Sequence, residues 1–262
     1  MTKLWKRYPV KLDIIRFDKD AREAFTDIVS EEIPLTVHIN GTEIFTILAS
    51  PPDLEELSVG FLFTAGMIRS IDDIRSVTID RKNWISSIEL KRNIDFEFIF
   101  KRIYTPGCGK GVLFYNVLDI LHRKPLTSRA IVKGTALSAL MKEFLKRSVE
   151  FKKTGCEHSA ALADESGVII YKEDIGRHNA VDKVIGEAVM KRVRMADRIV
   201  FVSGRVSSEI VLKVKKSGCP FLVSRSAPTD QAVKFARDFR LTLIGFARGE
   251  RMNIYSENGR VA

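Results

Sequence analysis

One cysteine set among glycines is the feature of this chain best suited to chemistry. In Tyr104-Thr105-Pro106-Gly107-Cys108-Gly109-Lys110-Gly111, three glycines and a proline surround Cys108. Glycine lets the backbone take positive φ and approach a ligand closely, so the thiol reads as exposed and mobile. Lys110, and a helix expected to run from Val112 to Leu121, would favour the thiolate. A thiolate can attack a sulfur donor and hold the sulfur as a persulfide, and a mobile loop lets that sulfur meet first a donor and then an acceptor. A flexible linker with an incidental cysteine fits the same pattern equally well. Cys156 and His158 lie in Thr154-Gly155-Cys156-Glu157-His158-Ser159 and share a side only if that segment is extended. With no second Cys or His cluster beside them, a buried structural role is expected. Cys219 directly precedes an apolar strand and reads as a core thiol. Three widely spaced cysteines give neither a disulfide framework nor a C-x-x-C motif, so a reducing compartment is expected and a metal site is not.

Three further segments have the chemistry of anion binding. Asp174-Ile175-Gly176-Arg177-His178-Asn179 precedes a helical pattern, and a helix start bearing glycine, arginine and imidazole suits phosphate. Asp182, four residues after His178, is expected to hold the imidazole ring; simple capping by Asn179 is the alternative. Val202-Ser203-Gly204-Arg205-Val206-Ser207-Ser208 is a second strand-to-helix turn, and Ser224-Arg225-Ser226 follows the next strand. Backbone N–H groups at such turns point at ligands beyond the strand ends. Phe246-Ala247-Arg248-Gly249-Glu250-Arg251 closes the series with a tight turn carrying two arginines, suited to phosphate or to stacking on a base. A solvated hairpin tip would look the same.

The elements that must position these residues follow from periodicity. Ile33 to Ile39 alternates apolar and polar residues, Asn40-Gly41 supplies a tight turn, and Glu43 to Leu48 returns as a second strand. Ser50-Pro51-Pro52-Asp53 starts a helix in which Leu54, Leu57, Phe61 and Leu62 recur, with Gly66 as its stop. Strand-like runs follow at Ile74–Ile79, Ile85–Leu90 and Phe96–Phe100. In the second half, helices are expected over Leu137–Leu145, around Val181–Val189, over Ser207–Lys216, and over Ala232–Phe239 after Pro228. Between them lie a strand pair about the turn Asp164–Gly167 and short strands at Arg198–Val202, Pro220–Val223, Leu241–Ala247 and Met252–Tyr255. Short alternating units imply an α/β layer with parallel strands. A boundary near Lys124-Pro125 would give 1–124 as an α+β domain holding the hairpin and the cysteine loop, and 125–262 as an α/β domain. Residues 240–262 could join either.

Composition sets the outer limits. The 262 residues are 45% hydrophobic and 29% charged, as in ordinary soluble proteins. No stretch approaches the ~20 apolar residues of a membrane span; the longest candidate, Ser58 to Ile68, is broken by glycines. Met1 to Arg7 is basic but lacks the apolar core of a secretory signal, so a cytoplasmic location is expected. A net charge of +10 favours an anionic partner. The basic residues are dispersed, without a lysine-rich tail or an aromatic-interleaved stripe, which argues against nucleic acid.

At several of these segments the sequence resembles the formate dehydrogenase accessory sulfurtransferase family (FdhD). The matching stretches are Glu32–Leu35, Leu54–Gly66, Glu173–Lys183, Ser203–Arg205, Ser226–Thr229 and Gly245–Arg251, in family order from about residue 30 to the end. The resemblance implies a dimeric cytoplasmic carrier that accepts sulfur from a cysteine desulfurase and passes it to the bis-molybdopterin guanine dinucleotide molybdenum cofactor, a bound substrate, for formate dehydrogenase. It implies a cytidine deaminase-like α/β domain, a persulfide on Cys108, and cofactor binding by Phe246, Ala247, Arg248, Gly249, Glu250 and Arg251. The loops at Arg177-His178 and Gly204-Arg205 would add to that grip. Deaminase chemistry itself is not implied, because the H-x-E and P-C-x-x-C zinc ligands are missing. Many relatives carry a C-x-x-C loop where this chain has Gly111 in the second place. Without a neighbouring thiol, Cys108 would hand its persulfide directly to the acceptor or rely on an external reductant. A chaperone that binds the cofactor without carrying sulfur is the alternative.

Overall fold

The computed structural model describes residues 8–92, 102–104, 112–114 and 124–262, the two short middle stretches as backbone alone. It begins with a two-stranded antiparallel hairpin, β1 (Val10–Asp18) and β2 (Ala21–Val29), for which the sequence reading had no expectation. Next come β3 (Ile33–Ile39) and β4 (Thr42–Ala49). The alternation in β3 works as expected: Ile33, Leu35, Val37 and Ile39 all point inward and are at most 2% exposed. Asn40 and Gly41 take φ of 49° and 79°, the left-handed values that a tight hairpin needs at both positions. Helix α1 (Leu54–Thr64) follows, then β5 (Ile74–Asp80) and β6 (Ile85–Leu90) complete a four-stranded sheet in the order β4-β3-β6-β5.

The backbone then pairs β7 (Arg102–Tyr104) with β8 (Val112–Phe114). Val112 thus opens a strand, and the helix expected there does not begin at that residue. The expected strand at Phe96–Phe100 lies outside the described residues.

The second half holds α2 (Gly134–Lys146), α3 (Val149–Thr154), β9 (His158–Asp164), β10 (Gly167–Asp174), α4 (Arg177–Met190), β11 (Ile199–Val202), α5 (Ser208–Ser217), β12 (Phe221–Ser224), α6 (Asp230–Asp238), β13 (Thr242–Arg248) and β14 (Arg251–Ser256). These strands form one six-stranded sheet in the order β10-β9-β11-β12-β13-β14. The β11-β12-β13 core is parallel, as the alternation of strands and helices implies, and antiparallel strands flank it. Hence the final hairpin extends this sheet. Helix α6 opens at Asp230, later than Pro228, because Thr229 Oγ1 accepts from Ala232 N and caps it.

Both faces of this sheet are covered. In β11, Val200 and Val202 join the core beneath α4 and α5, while Ile199 and Phe201 join the core beneath α2. That is why the central strands read as unbroken apolar runs. The first of these cores also takes in Val37, Ile39 and Leu62 from the N-terminal half.

Helices α1 and α4 touch backbone to backbone. A methyl group at Gly60 would fall 1.9 Å from the Asp182 carbonyl oxygen, and one at Gly186 would fall 1.9 Å from that of Glu56. Only glycine fits at either place. Buried ion pairs surround the crossing. Lys183 and Asp174, both fully buried, are 2.7 Å apart, and Lys183 Nζ also donates to the Ser50 and Glu173 carbonyls. Lys172 contacts Asp53 and Glu187 at 2.7 and 2.6 Å. Burial alone would depress the Lys172 ammonium, but the hydrogen bonds it donates to Asp53 and Glu187 outweigh it and hold the pKa above its ordinary value.

Candidate functional site

Strands β10, β11 and β12 run in the same direction, so the segments that follow them leave the sheet at one edge. Because β9 lies antiparallel between β10 and β11, its first residues arrive at that same edge: His158 faces Asp174, and Ala160 faces Val202. Hydrogen bonds fix the loops to one another. Ser203 N donates to the Ser159 carbonyl (3.0 Å), Ser159 N donates to Ser203 Oγ (2.9 Å), and Ser224 Oγ donates to the Gly204 carbonyl (2.8 Å). Gly204 is buried against both neighbours; a Cβ there would stand 3.1 Å from His158 Nδ1 and 3.3 Å from Arg177 Cβ. The structure therefore brings Arg177, His178, Gly204 and Arg205 together, and places between them a residue assigned elsewhere by sequence, His158.

The imidazole of His178 is held by Glu209: Nε2 lies 2.8 Å from Oε2 and 3.3 Å from Ser207 Oγ. Asp182 does not hold it. The Asp182 carboxylate turns into the core, where Lys213 Nζ and Thr64 Oγ1 donate to it at 2.7 and 2.8 Å. Four residues along α4 from His178 already faces α1, which sequence spacing alone does not reveal. His158 has its pKa lowered, first by burial and then by the Arg177 guanidinium, so at neutral pH it is uncharged.

Along β13 the side chains alternate. Phe246 is 37% exposed and takes φ +51°, a strained value for a bulky residue, fixed by its N–H donating to the Ser226 carbonyl. Ala247 is 2% exposed and belongs to the core beneath α2, so its side chain is turned away from the edge. Arg248 is exposed, its Nε donates to the Arg225 carbonyl at 3.3 Å, and its guanidinium carbon lies 5.9 Å from the Phe246 ring centre. Gly249 takes φ +59° to make the turn, Glu250 is exposed, and Arg251 pairs directly opposite Arg248. Two guanidinium groups in a cross-strand pair repel. Among the described residues no carboxylate forms an ion pair with Arg205, Arg225, Arg248 or Arg251. A bound anion would relieve this concentration of positive charge.

Beside this edge, on the α2–α3 side, lies a cavity of about 340 Å³ whose lining includes Cys156, Glu157, His158, Ser203 and Arg225. Cys156 is exposed there, contrary to the buried role expected of it, because Gly155 takes a left-handed conformation at the end of α3 and releases the chain outward. Its neighbour Glu157 is the buried one, accepting from Tyr8 OH (2.7 Å) and Ser50 Oγ (3.0 Å), and burial raises its pKa. Cys219 is fully buried, and burial pushes its thiol up to about 12. It is a core thiol without thiolate character at neutral pH. Cys108 and its loop lie outside the described residues. Among those described, no cluster of three or more His, Cys, Asp or Glu could hold a metal ion, and no helix is long and apolar enough to cross a membrane.

Sequence reading singled out His158 with Cys156 but not its place beside Gly204 and Arg177, and it missed Glu209. The i, i+2 spacing of Cys156 and His158 about Glu157 offered a signal for an extended segment. Glu209, 31 positions from His178, offered none.

The chain is similar to known proteins in sequence and in fold. Residues 30–262 match the model of the FdhD/NarQ family. A protein of Bacillus pumilus (strain SAFR-032) named sulfur carrier protein FdhD is 39% identical over 238 residues, covering 90% of this chain and 91% of its own. A Bacillus subtilis (strain 168) protein of the same name is 36% identical over 251 residues, covering 95% and 96%. The fold is similar to a crystal structure described as that of a formate dehydrogenase accessory protein from Desulfotalea psychrophila. Its TM-score is 0.81 at 26% identity, over 97% of this chain and 99% of that one.

Proposed function

Since the chain belongs to the FdhD/NarQ family, we propose that it is a sulfur carrier serving formate dehydrogenase, with Cys108 as the atom-bearing residue. In this reading the Cys108 thiolate attacks the outer sulfur of a persulfide on a cysteine desulfurase. A new S–S bond forms as the donor's own S–S bond breaks, and the donor cysteine leaves as a thiolate. The terminal sulfur then passes to the bis-molybdopterin guanine dinucleotide cofactor, the substrate, as the S–S bond breaks and Cys108 leaves as a thiolate. With Gly111 in place of a second thiol, the two electrons that bring the sulfur to the sulfide level come from the acceptor or from two external thiols that leave as a disulfide.

The observation that carries the binding half of the proposal is the convergence of Arg177, His178, Gly204-Arg205 and the Arg248/Arg251 pair at one sheet edge. Arg205, Arg248 and Arg251, without carboxylate partners among the described residues, suit phosphate groups, and Phe246, strained and half-exposed beside Arg248, suits a base. We read the second half as resembling the cytidine deaminase fold, a reading that the mixed sheet covered on both faces supports. A cytoplasmic homodimer completes the proposal.

Replacing Cys108 with alanine tests it. Formate dehydrogenase activation in cells should be abolished while the variant stays folded. Activation at the wild-type level by that variant would leave only the alternative, a chaperone that binds the cofactor without carrying sulfur.

A further inference from the structure

The β1–β2 hairpin shows apolar side chains on both faces. By its register, Leu12, Ile14 and Phe25 share one face, while Ile15, Phe17 and Ile28 share the other. Leu12 is 47% exposed, Ile15 58% and Phe17 66%. Nine-residue strands extend about 30 Å, and every residue from Lys11 to Ala24 is exposed, with burial beginning only at Phe25 and towards the base. Neither strand pairs with any other sheet among the described residues. A two-stranded ribbon with nothing against it is marginal in water, and open edges bearing apolar side chains favour association. The base, by contrast, is fastened: Tyr8 OH donates to Glu157 and Ser30 Oγ donates to Thr154 Oγ1.

Charge points to what covers it. Residues 10–29 hold four lysines and arginines against five aspartates and glutamates, a net of −1 in a chain whose total is +10, which leaves +11 for the remainder. An arm of this charge meets a strongly basic body favourably, and it is poorly suited to nucleic acid or anionic lipid.

We propose that the β1–β2 hairpin is an arm that docks on a second copy of this chain. The inference rests on the homodimer proposed above and names the surface through which the two copies meet. Two-fold symmetry would make the contact reciprocal, each arm covering its partner's basic surface. Both fastenings at the base join the segment 149–158, which carries Cys156 and lines the cavity. Docking would therefore also steady that wall.

Sedimentation equilibrium of the full chain tests this. The wild type should be a dimer that weakens as salt rises. The double variant Ile15→Glu/Phe17→Glu should shift towards monomer by about tenfold or more in Kd, with its circular dichroism and melting temperature close to wild type, since both side chains are exposed. Asp13→Lys/Asp18→Lys, which keeps the apolar area, should weaken the dimer as well. A wild type that stays monomeric would overturn both the arm and the dimer. A dimer unchanged by either pair of substitutions would overturn the arm alone.

Discussion

The crossing of α1 on α4 and the strand-end edge are both rich in charge, yet they use it in opposite ways. At the crossing every cation has an anion: Lys183 with Asp174, Lys172 with Asp53 and Glu187, Lys213 with Asp182. Those groups are matched, and Lys183, Asp174 and Asp182 are fully buried, so the charges hold the two halves of the chain in one arrangement and leave nothing for a ligand. At the edge, His178 has such a match in Glu209, whereas Arg205, Arg225, Arg248 and Arg251 have no carboxylate partner among the described residues. Arg248 faces Arg251, and a strained aromatic stands beside them. Internal satisfaction marks architecture, and unmatched positive charge at converging loops marks a place built for an anion.

Substitutions at the two regions should therefore separate stability from binding. The largest effect belongs to Lys183→Met. Leaving Asp174 as a buried, uncompensated charge should cost about 3–5 kcal/mol, read as a loss in urea-melt stability, with no selective effect on ligand binding in the fraction that folds. Gly186→Ala comes next. Its methyl would overlap the Glu56 carbonyl oxygen, and forcing the helices apart should cost about 1–3 kcal/mol in the same assay. A wild-type melt for Gly186→Ala would mean that the helices are not in backbone contact.

At the edge the signs reverse. Arg248→Ala should leave the melt within about 0.5 kcal/mol of wild type while weakening guanosine diphosphate binding, measured by calorimetry, by about tenfold, the loss of one charge-assisted contact. Equal binding by the variant would separate this edge from nucleotide recognition.

The smallest effect is a pH dependence. Burial and Arg177 lower the His158 pKa below its ordinary 6.5. An unfolded chain therefore takes up that proton first as pH falls, so the native state loses stability from pH 6.5 down to the lowered value and is unaffected above that range. Melting temperatures of the wild type and His158→Asn should converge towards the acid end of that window and differ most above it.

How much of this was legible depended on the range of the interaction. The turn at Asn40-Gly41, the inward set of β3 and the apolar runs of β11 and β12 are encoded within a few residues, and the reading placed them. The arginine-bearing turns were legible as a group because strands of like direction must present their loops at one edge. Insertion of β9 between β10 and β11 was not legible, and with it went the place of His158 beside Gly204, since neighbours in a sheet need not be neighbours in sequence. The Glu209 partner of His178 was hidden for the same reason, and spacing along the helix offered Asp182 in its place. The β1–β2 arm went unread because its strands place apolar residues on both faces and meet at Lys19, which adopts φ 53° without a glycine to announce the turn.

Mass spectrometry of the purified chain after incubation with a cysteine desulfurase and cysteine tests the carrier role most directly. The account predicts an added mass of about 32 Da, one sulfur atom, on the peptide containing Cys108. The adduct should be lost on treatment with a thiol reductant and absent from Cys108→Ala. An unmodified Cys108 peptide, or an adduct found only on Cys156, would contradict it.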